Sequence, residues 1–150
     1  MGNVDPNDGI LEFAISKEIE SYHFYRALAR RVETPKMRGV FEELAAEELG
    51  HKASLELEII KTGRVVPAQE EFQAGPDSDC IVDEDNALLD MDCKDMLLLG
   101  MEKEEASFRT YVNLVANARD VQAQELLLEL AEEEVKHKLR FETEHDLLLT

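Results

Sequence analysis

The chain has 150 residues, of which 44% are hydrophobic, so its length suits one domain with a sizeable core. Its formal net charge is −18, from 34 acidic and 16 basic residues, which disfavours nucleic acids and anionic membrane surfaces as partners. No apolar stretch reaches the roughly 20 residues that span a bilayer, and residues 1–6 lack the pattern of a secretion signal, so we expect one domain over residues 1–150 and no membrane insertion.

The first half of the chain has the pattern of a helical hairpin. Apolar residues recur every three or four positions over residues 8–32 and again over 35–61, which predicts two helices. Thr34 followed by Pro35 suits an N-cap and the first helical residue of the second helix, and Gly63 follows its last turn. Because the connection between them is short, the two helices are expected to pack antiparallel.

Residues 63–91 form a long connection without a sustained hydrophobic period. Pro67, Gly75 and Pro76 interrupt this segment, an acidic run follows, and there is room for one short helical turn over residues 84–89. A connection of this length is unusual in a compact domain, and one long crossover distinguishes ferritin-like bundles from bundles with short loops throughout. The segment therefore indicates a ferritin-like topology.

The second half of the chain predicts another hairpin. Its helices are expected over residues 92–118 and 121–147, with Asp92 and Asp120 as N-caps. Leu, Ala, Glu and Lys, which favour helix over strand, dominate the composition. The sequence thus predicts an all-α, four-helix ferritin-like bundle of two antiparallel hairpins joined by a long crossover.

The two cysteines give information about the cellular compartment. Cys80 and Cys93 form no closely spaced pair, so they indicate neither a zinc ribbon nor a disulfide framework. We expect both to be free thiols in or beside the crossover, in a reducing, cytoplasmic setting.

The two hairpins are related by an internal repeat. Shifting the second half back by 86 positions aligns the halves without a gap, and Tyr25 then falls on Tyr111. The strongest match is between residues 47–52 and 133–138, where glutamate, histidine and lysine recur at the same places. The repeat predicts a bundle with a pseudo-twofold axis.

Charged residues interrupt the apolar stripe of each predicted helix. Glu48 and His51 lie on the stripe of the second helix, Glu134 and His137 repeat this on the fourth, and single glutamates interrupt the other two stripes. Four buried carboxylates need protons, cations or a metal, and two divalent ions suit a set of oxygen and imidazole ligands. One Glu-x-x-His motif often arises by chance, but two at equivalent positions are a stronger signal. The predicted metal ligands are Glu18, Glu48, His51, Glu104, Glu134 and His137.

Two tyrosines are candidates for a supporting role. Tyr25 and Tyr111 lie seven residues after Glu18 and Glu104, so each shares a helix face with a predicted ligand. Their hydroxyls are expected either to bond a metal carboxylate of the opposite hairpin or to belong to ordinary core aromatics. The remaining histidines, His23 and His145, are expected at the surface or at helix ends.

The six predicted metal ligands, with their Glu-x-x-His spacing, resemble the ligand set of the rubrerythrin-like branch of the ferritin-like superfamily. The resemblance implies a carboxylate-bridged di-iron site that reacts with dioxygen or hydrogen peroxide. Two features depart from it: paired Cys-x-x-Cys motifs of a rubredoxin-like iron site are absent from the sequence, and position 107 is Ser where the family has a further glutamate. The resemblance therefore does not extend to a peroxidase that carries its electron donor in the same chain.

Two classes of function follow from this site. The first is an oxidoreductase of peroxidase or ferroxidase type, supplied with electrons by an external donor such as a rubredoxin-like protein. The second is a non-catalytic protein for iron binding, storage or sensing. A structural bundle whose metal site is degenerate is a third, less specific alternative. Two metal ions are expected, iron first, with manganese or zinc as alternatives. A homodimer is the expected assembly.

Overall fold

The protein is described here from a computed structural model, which defines residues 8–63 and 92–149. Within these residues the regular structure is entirely helical, and four helices follow one another as predicted. Their bounds are α1 Asp8–Arg31, α2 Pro35–Lys61, α3 Cys93–Asn117 and α4 Val121–Leu149. The all-α bundle is therefore confirmed, whereas the crossover, its short helical turn and Cys80 lie outside the described residues.

The helix ends follow from local sequence. Thr34 has an extended backbone before the first turn of α2, and Gly63 adopts a positive φ of 82° after its last turn. Asp92 caps α3 by accepting a hydrogen bond from the backbone N–H of Asp95 at 2.9 Å, and Asp120 similarly accepts one from Ala123 at 3.0 Å. The predicted boundaries are correct to within two residues, and α4 extends slightly further than expected.

The helices approach most closely within each hairpin, where α1 packs along α2 and α3 packs along α4. The backbones of different hairpins are further apart, so side chains fill the space between them. These side chains form two apolar clusters, each with residues from both hairpins. The first core cluster is built around Tyr25, Phe41 and Phe141, and the second around Ile15, Leu55 and Leu127.

Every helix crosses from one core cluster to the other, and the predicted ligands lie at the crossing point. In α2, Phe41 and Leu44 belong to the first cluster and Leu55 to the second, with Glu48 and His51 between them. The same holds for Glu18 in α1, Glu104 in α3 and the Glu134–His137 pair in α4. The fold thus places the polar residues in a layer at the middle of the bundle, with an apolar layer on each side.

The two hairpins pack by the same plan but with different side-chain sizes. A Cβ atom added to Gly100 would lie 2.9 Å from the ring of Phe141. The repeat-equivalent residues are Ala14 and Leu55, both fully buried. A larger partner therefore faces a smaller one in each half, as close packing requires.

One expectation about α1 is wrong. His23 was expected at the surface or a helix end, but only 4% of it is exposed. The five consecutive residues 21–25 are all buried, so this part of α1 is covered on several sides. The apolar stripe predicted only one buried face, and His23 lies outside it. Burial, together with the charges of Arg30 and Arg26, lowers the pKa of His23.

Among the described helices, none combines the length and apolar character that crossing a bilayer requires. The prediction of a single domain over residues 1–150 stays a prediction.

Candidate metal centre

The six predicted ligands lie together in the polar layer of the bundle. The four glutamates are at most 2% exposed, His137 is buried, and the side chain of His51 is 13% exposed. Helix α2 contributes Glu48 and His51 from consecutive turns, because a spacing of three residues keeps both on one face. Helix α4 contributes the equivalent pair, and α1 and α3 each add one glutamate.

The ligand atoms form two overlapping groups. Glu18, Glu48, His51 and Glu134 have ligand atoms within 4.8 Å of one another, and so do Glu48, Glu104, Glu134 and His137. Glu48 and Glu134 are members of both groups. The sequence left open which glutamates would bridge, and the structure makes the two helix-pair glutamates the shared ones, while Glu18 and Glu104 belong to one group each.

Both imidazoles direct Nδ1 toward the carboxylates. Nδ1 of His51 lies 3.4 Å from Glu18 and 3.6 Å from Glu48, and Nδ1 of His137 lies 3.5 Å from Glu104 and 3.6 Å from Glu48. The rings are nearly parallel, with centroids 6.0 Å apart. These separations exceed hydrogen-bond lengths and leave room between the ligand atoms.

Unpartnered buried atoms test whether this donor set fits metal ions. Eight ligand-set atoms are buried without a hydrogen-bond partner, including both carboxylate oxygens of Glu48 and Nδ1 of each histidine. Leaving such groups unpartnered is costly, and metal coordination would satisfy them. Two divalent ions would also balance the four carboxylate charges, so the residues present fit a dinuclear site.

The pKa shifts reflect burial of the four carboxylates and repulsion between their charges. Burial, followed by the charge and contact of Glu18, raises the pKa of Glu48 well above its usual value. Burial and the nearby Glu104 do the same to the pKa of Glu134. Burial alone would also raise the pKa of Glu18, but its contacts with Glu48 and His51 outweigh burial and hold it lower. Protons therefore concentrate on the two shared glutamates when no cation is present.

Each predicted tyrosine contacts a ligand of the other hairpin. The hydroxyl of Tyr25 donates a hydrogen bond to Glu104, and the hydroxyl of Tyr111 donates one to Glu18. Burial and the adjacent carboxylate raise the pKa of both phenols well above the usual value, so both remain hydrogen-bond donors in the neutral range. The geometry matches the first of the two alternatives drawn from the sequence, and the functional role of the tyrosines stays a prediction.

Sequence reasoning missed one residue beside the ligands. Glu47 of α2 places a carboxylate oxygen 3.4 Å from Nε2 of His137, on the other hairpin. The side chain of Glu47 is 42% exposed, so this carboxylate lies at the rim of the site. Burial lowers the pKa of His51, but Glu18 and then the charge of Glu133, the repeat equivalent of Glu47, outweigh burial and raise it. The internal repeat could have indicated this residue, because Glu47 aligns with Glu133 just as the neighbouring ligand Glu48 aligns with Glu134.

The two sides of the site are chemically different. On one side Tyr25, Phe41 and Phe141 form a group of aromatic rings with centroids 5.8 to 6.5 Å apart. On the other side the equivalent residues are Tyr111, Leu127 and Leu55. The pseudo-twofold symmetry thus holds for the ligands but not for the apolar residues around them.

Comparison with known proteins agrees with this architecture. The rubrerythrin family model matches residues 9–145. A hypothetical protein from Pyrococcus furiosus has a similar structure, with 25% sequence identity, a TM-score of 0.66, and coverage of 93% of this chain and 88% of that one.

A second solved structure shares the fold. It belongs to a protein of Thermotoga maritima, described as a candidate ferritin-like diiron-carboxylate protein, with 21% identity, a TM-score of 0.69 and 97% coverage of both chains. At that identity the likeness extends to the fold alone. No curated protein matches the sequence.

Proposed function

The chain belongs to the rubrerythrin family, and we propose that it is a di-iron oxidoreductase that reacts with hydrogen peroxide or dioxygen. Glu18 and His51 would hold one iron, Glu104 and His137 the other, and Glu48 and Glu134 both. Bound iron would supply Lewis acidity and one-electron redox chemistry at each of the two positions. The observation that carries the proposal is the overlap of the two ligand groups on Glu48 and Glu134.

The protein's contribution is to fix these side chains before any metal arrives. Each ligand comes from a helix rather than a loop, and the two tyrosine hydroxyls hold Glu18 and Glu104 from the opposite hairpin. No tyrosine hydroxyl holds Glu48 or Glu134 in this way among the hydrogen bonds of the described residues, and both oxygens of Glu48 and one of Glu134 are buried without a hydrogen-bond partner. The shared glutamates are therefore the ones free to change how they bind.

The apolar layers above and below the site exclude water from those two sides. Tyr25, Phe41 and Phe141 close one side, and Leu55 and Leu127 lie on the other. In this surrounding, charge on the ligands is weakly screened, which strengthens their interaction with cations.

Turnover requires electrons from outside the site. Reduction of one hydrogen peroxide to two water molecules consumes two electrons and two protons, so an external donor such as a rubredoxin-like protein would have to restore the reduced state. A protein that receives electrons from a partner can turn over repeatedly, whereas a protein without a donor reacts once and stops.

The proposal is tested by loading the protein anaerobically with two ferrous ions per chain and adding one equivalent of hydrogen peroxide. Rapid growth of ferric absorption in the near ultraviolet is expected, and Glu48→Ala and His137→Ala should each abolish it. Glu132→Ala, an exposed position two residues before Glu134, is the matched control and should behave as the wild type. Retention of the fast phase in both ligand variants would contradict the proposed site.

Iron binding without turnover is the second candidate function. The net charge of −18 favours it, because such a surface raises the local concentration of cations. Peroxide consumption with a continuous supply of reduced rubredoxin separates the two functions. Sustained consumption supports the oxidoreductase, whereas a single stoichiometric reaction that then stops supports iron storage or sensing.

A further inference from the structure

A small cavity between α1 and α3 reaches the polar layer from outside the bundle. Its volume is about 90 Å³, and it is lined among others by Lys17, Glu18, Ser21, Lys103, Ser107 and Tyr111. Glu18 and Tyr111, which are joined by a hydrogen bond, belong to the predicted site. The cavity therefore connects the candidate metal centre with the surface on the α1 and α3 side.

The lining residues are paired by the internal repeat. Lys17 is equivalent to Lys103, and Ser21 is equivalent to Ser107, each pair separated by 86 positions. On both helices the serine stands one turn beyond the lysine, so the two side chains share a face. The cavity is thus lined by one lysine and one serine from each hairpin.

The lysines are anchored close to the bundle. The ammonium of Lys17 lies 5.3 Å from the centroid of the Phe13 ring and 3.2 Å from Glu20, and that of Lys103 lies 5.3 Å from the centroid of the Phe24 ring. Both side chains are half-buried, and within residues 8–63 and 92–149 Lys103 makes no ion pair. Two of the 16 basic residues of a strongly acidic chain are therefore held beside one cavity.

The serines provide hydrogen-bond donors without a protein acceptor. Ser21 is only 5% exposed, yet in the part of the chain that the structure describes neither its hydroxyl nor that of Ser107 has a hydrogen-bond partner. Both line the cavity. A hydroxyl that opens into a cavity and has no protein acceptor is normally satisfied by water or by a ligand.

We propose that this cavity binds one small carboxylate or carbonate-type anion, such as formate or bicarbonate, between the two serine hydroxyls and beside the two lysine ammonium groups. The cavity volume of about 90 Å³ exceeds the roughly 10 to 15 Å³ that one water molecule needs on this measure, so a small anion of a few heavy atoms can enter it. The inference rests on the proposed function, because Glu18 and its neighbours would repel an anion unless metal ions balance their charge.

The test uses protein loaded with two zinc ions, which are redox-inert and diamagnetic. Metal analysis first establishes the loading, and ¹³C-labelled formate and bicarbonate are then titrated separately at constant ionic strength and followed by ¹³C NMR line width. Saturable binding is expected for the loaded protein and none for the metal-free protein. Binding of formate alone would indicate an organic acid as the natural ligand, and binding of bicarbonate would indicate dissolved carbonate.

Two double variants localise the binding. The dissociation constant should rise about tenfold in Ser21→Ala/Ser107→Ala, which removes two donors, and by at least as much in Lys17→Gln/Lys103→Gln. The control Lys61→Gln/Lys94→Gln makes the same change in net charge at exposed positions and should shift the constant less than about twofold.

The possible results distinguish this inference from the proposed function. Zinc-loaded protein that binds neither anion, or binds them equally in all three double variants, would overturn the cavity site while leaving the metal centre intact. Protein that does not take up two metal ions per chain would overturn both. Alanine at positions 21 and 107 is a small change, so loss of fold is not expected, and thermal unfolding of the variants checks this.

Discussion

A carboxylate oxygen of Glu47 in α2 lies 3.4 Å from Nε2 of His137 in α4, while Nδ1 of the same ring faces Glu48 and Glu104. The imidazole therefore has a carboxylate at each nitrogen, one at the rim of the site and the others inside it. A metal-binding histidine commonly donates its second ring N–H to such a carboxylate, which fixes the tautomer and the ring orientation. No hydrogen bond joins Nε2 of His137 to Glu47 in this structure, but Glu47 is the carboxylate placed to accept one from that nitrogen.

We expect Glu47→Gln to weaken metal binding by about 10- to 100-fold, because the amide is a poorer acceptor and removes the charge that favours the Nε2-protonated ring. Competition with a chromophoric chelator measures the affinity, and ¹⁵N NMR of His137 reports the tautomer. Glu132→Gln, on the exposed face of α4, is the control for loss of one negative charge. Equal affinities of Glu47→Gln and Glu132→Gln would show that Glu47 does not position the histidine.

The packing of Gly100 against Phe141 gives a prediction about stability. Gly100→Ala should lower the free energy of unfolding by about 1 to 3 kcal/mol, because the added methyl group would lie 2.9 Å from the Phe141 ring. A glycine to alanine change in an unhindered helix does the opposite, so Gly39→Ala, with nothing near the new methyl, should stabilise by roughly 0.5 to 1 kcal/mol. Chemical denaturation of the metal-free protein measures both changes.

A double variant sharpens this prediction. Gly100→Ala/Phe141→Leu recreates the Ala14 and Leu55 pair found at the equivalent place in the other hairpin. Its loss of stability should be smaller than the sum of the two single losses, since the two residues are in contact. Simple additivity would show that the steric conflict is not between these two side chains.

The cross-hairpin tyrosines should matter for the order of the site. Removing one hydroxyl by Tyr25→Phe leaves an oxygen of Glu104 buried without its donor, and such a loss costs about 1 to 3 kcal/mol. Tyr111→Phe should behave alike because it acts on Glu18 in the same way. Tyr22→Phe, which removes a hydroxyl that accepts a hydrogen bond from the part-buried Arg26 at 3.4 Å, is the control for loss of a hydroxyl outside the ligand set in the same helix. A smaller effect of Tyr25→Phe than of Tyr22→Phe would contradict the contact.

The metal-free protein should lose stability as the pH rises. Burial and the charge of Glu18 raise the pKa of Glu48 above 4.5, its value in the unfolded chain, and burial and Glu104 do so for Glu134. At these two glutamates the folded state then holds protons that the unfolded state has released, so their contribution to stability is fully present below about pH 4.5 and is lost as the pH rises through the folded pKa values. Glu18, whose pKa is lowered, acts in the opposite direction, but only below about pH 4.5. The pKa of His51 is also raised, which adds to stability in the same direction.

Thermal unfolding after chelation, from about pH 5 to about pH 7, measures this slope. Glu48→Gln/Glu134→Gln should flatten it, because the amides do not titrate, while repulsion among the surface carboxylates stays unchanged. A slope that is the same in the wild type and in the double variant would place its origin at the surface. Restoring two metal ions to the wild type should also remove most of the slope.

Much of the architecture could be predicted because the chain repeats itself. Because the halves align after a shift of 86 residues, each motif could be checked against a second copy. One Glu-x-x-His motif is common by chance, but a second one at the equivalent place, Glu134 and His137 for Glu48 and His51, made a metal site the best explanation. The caps at Asp92 and Asp120 fixed the ends of two helices through local hydrogen bonds that sequence patterns describe well.

Other features depend on the distance between hairpins, which periodicity does not report. The sharing of Glu48 and Glu134 by both ligand groups needs the approach of α2 to α4, and so does the contact of Glu47 with His137. The burial of His23 results from what covers α1 on more than one side, and a stripe pattern assumes a single buried face. The pairing of Gly100 with Phe141 became clear only from the shape of the core.

The most direct test of the account is anomalous diffraction at the iron edge from crystals of the protein loaded with ferrous iron. Two peaks are predicted in each chain, one between Glu18 and His51 and the other between Glu104 and His137, with Glu48 and Glu134 contacting both. A single peak, or two peaks that do not share these two glutamates, would contradict the dinuclear centre.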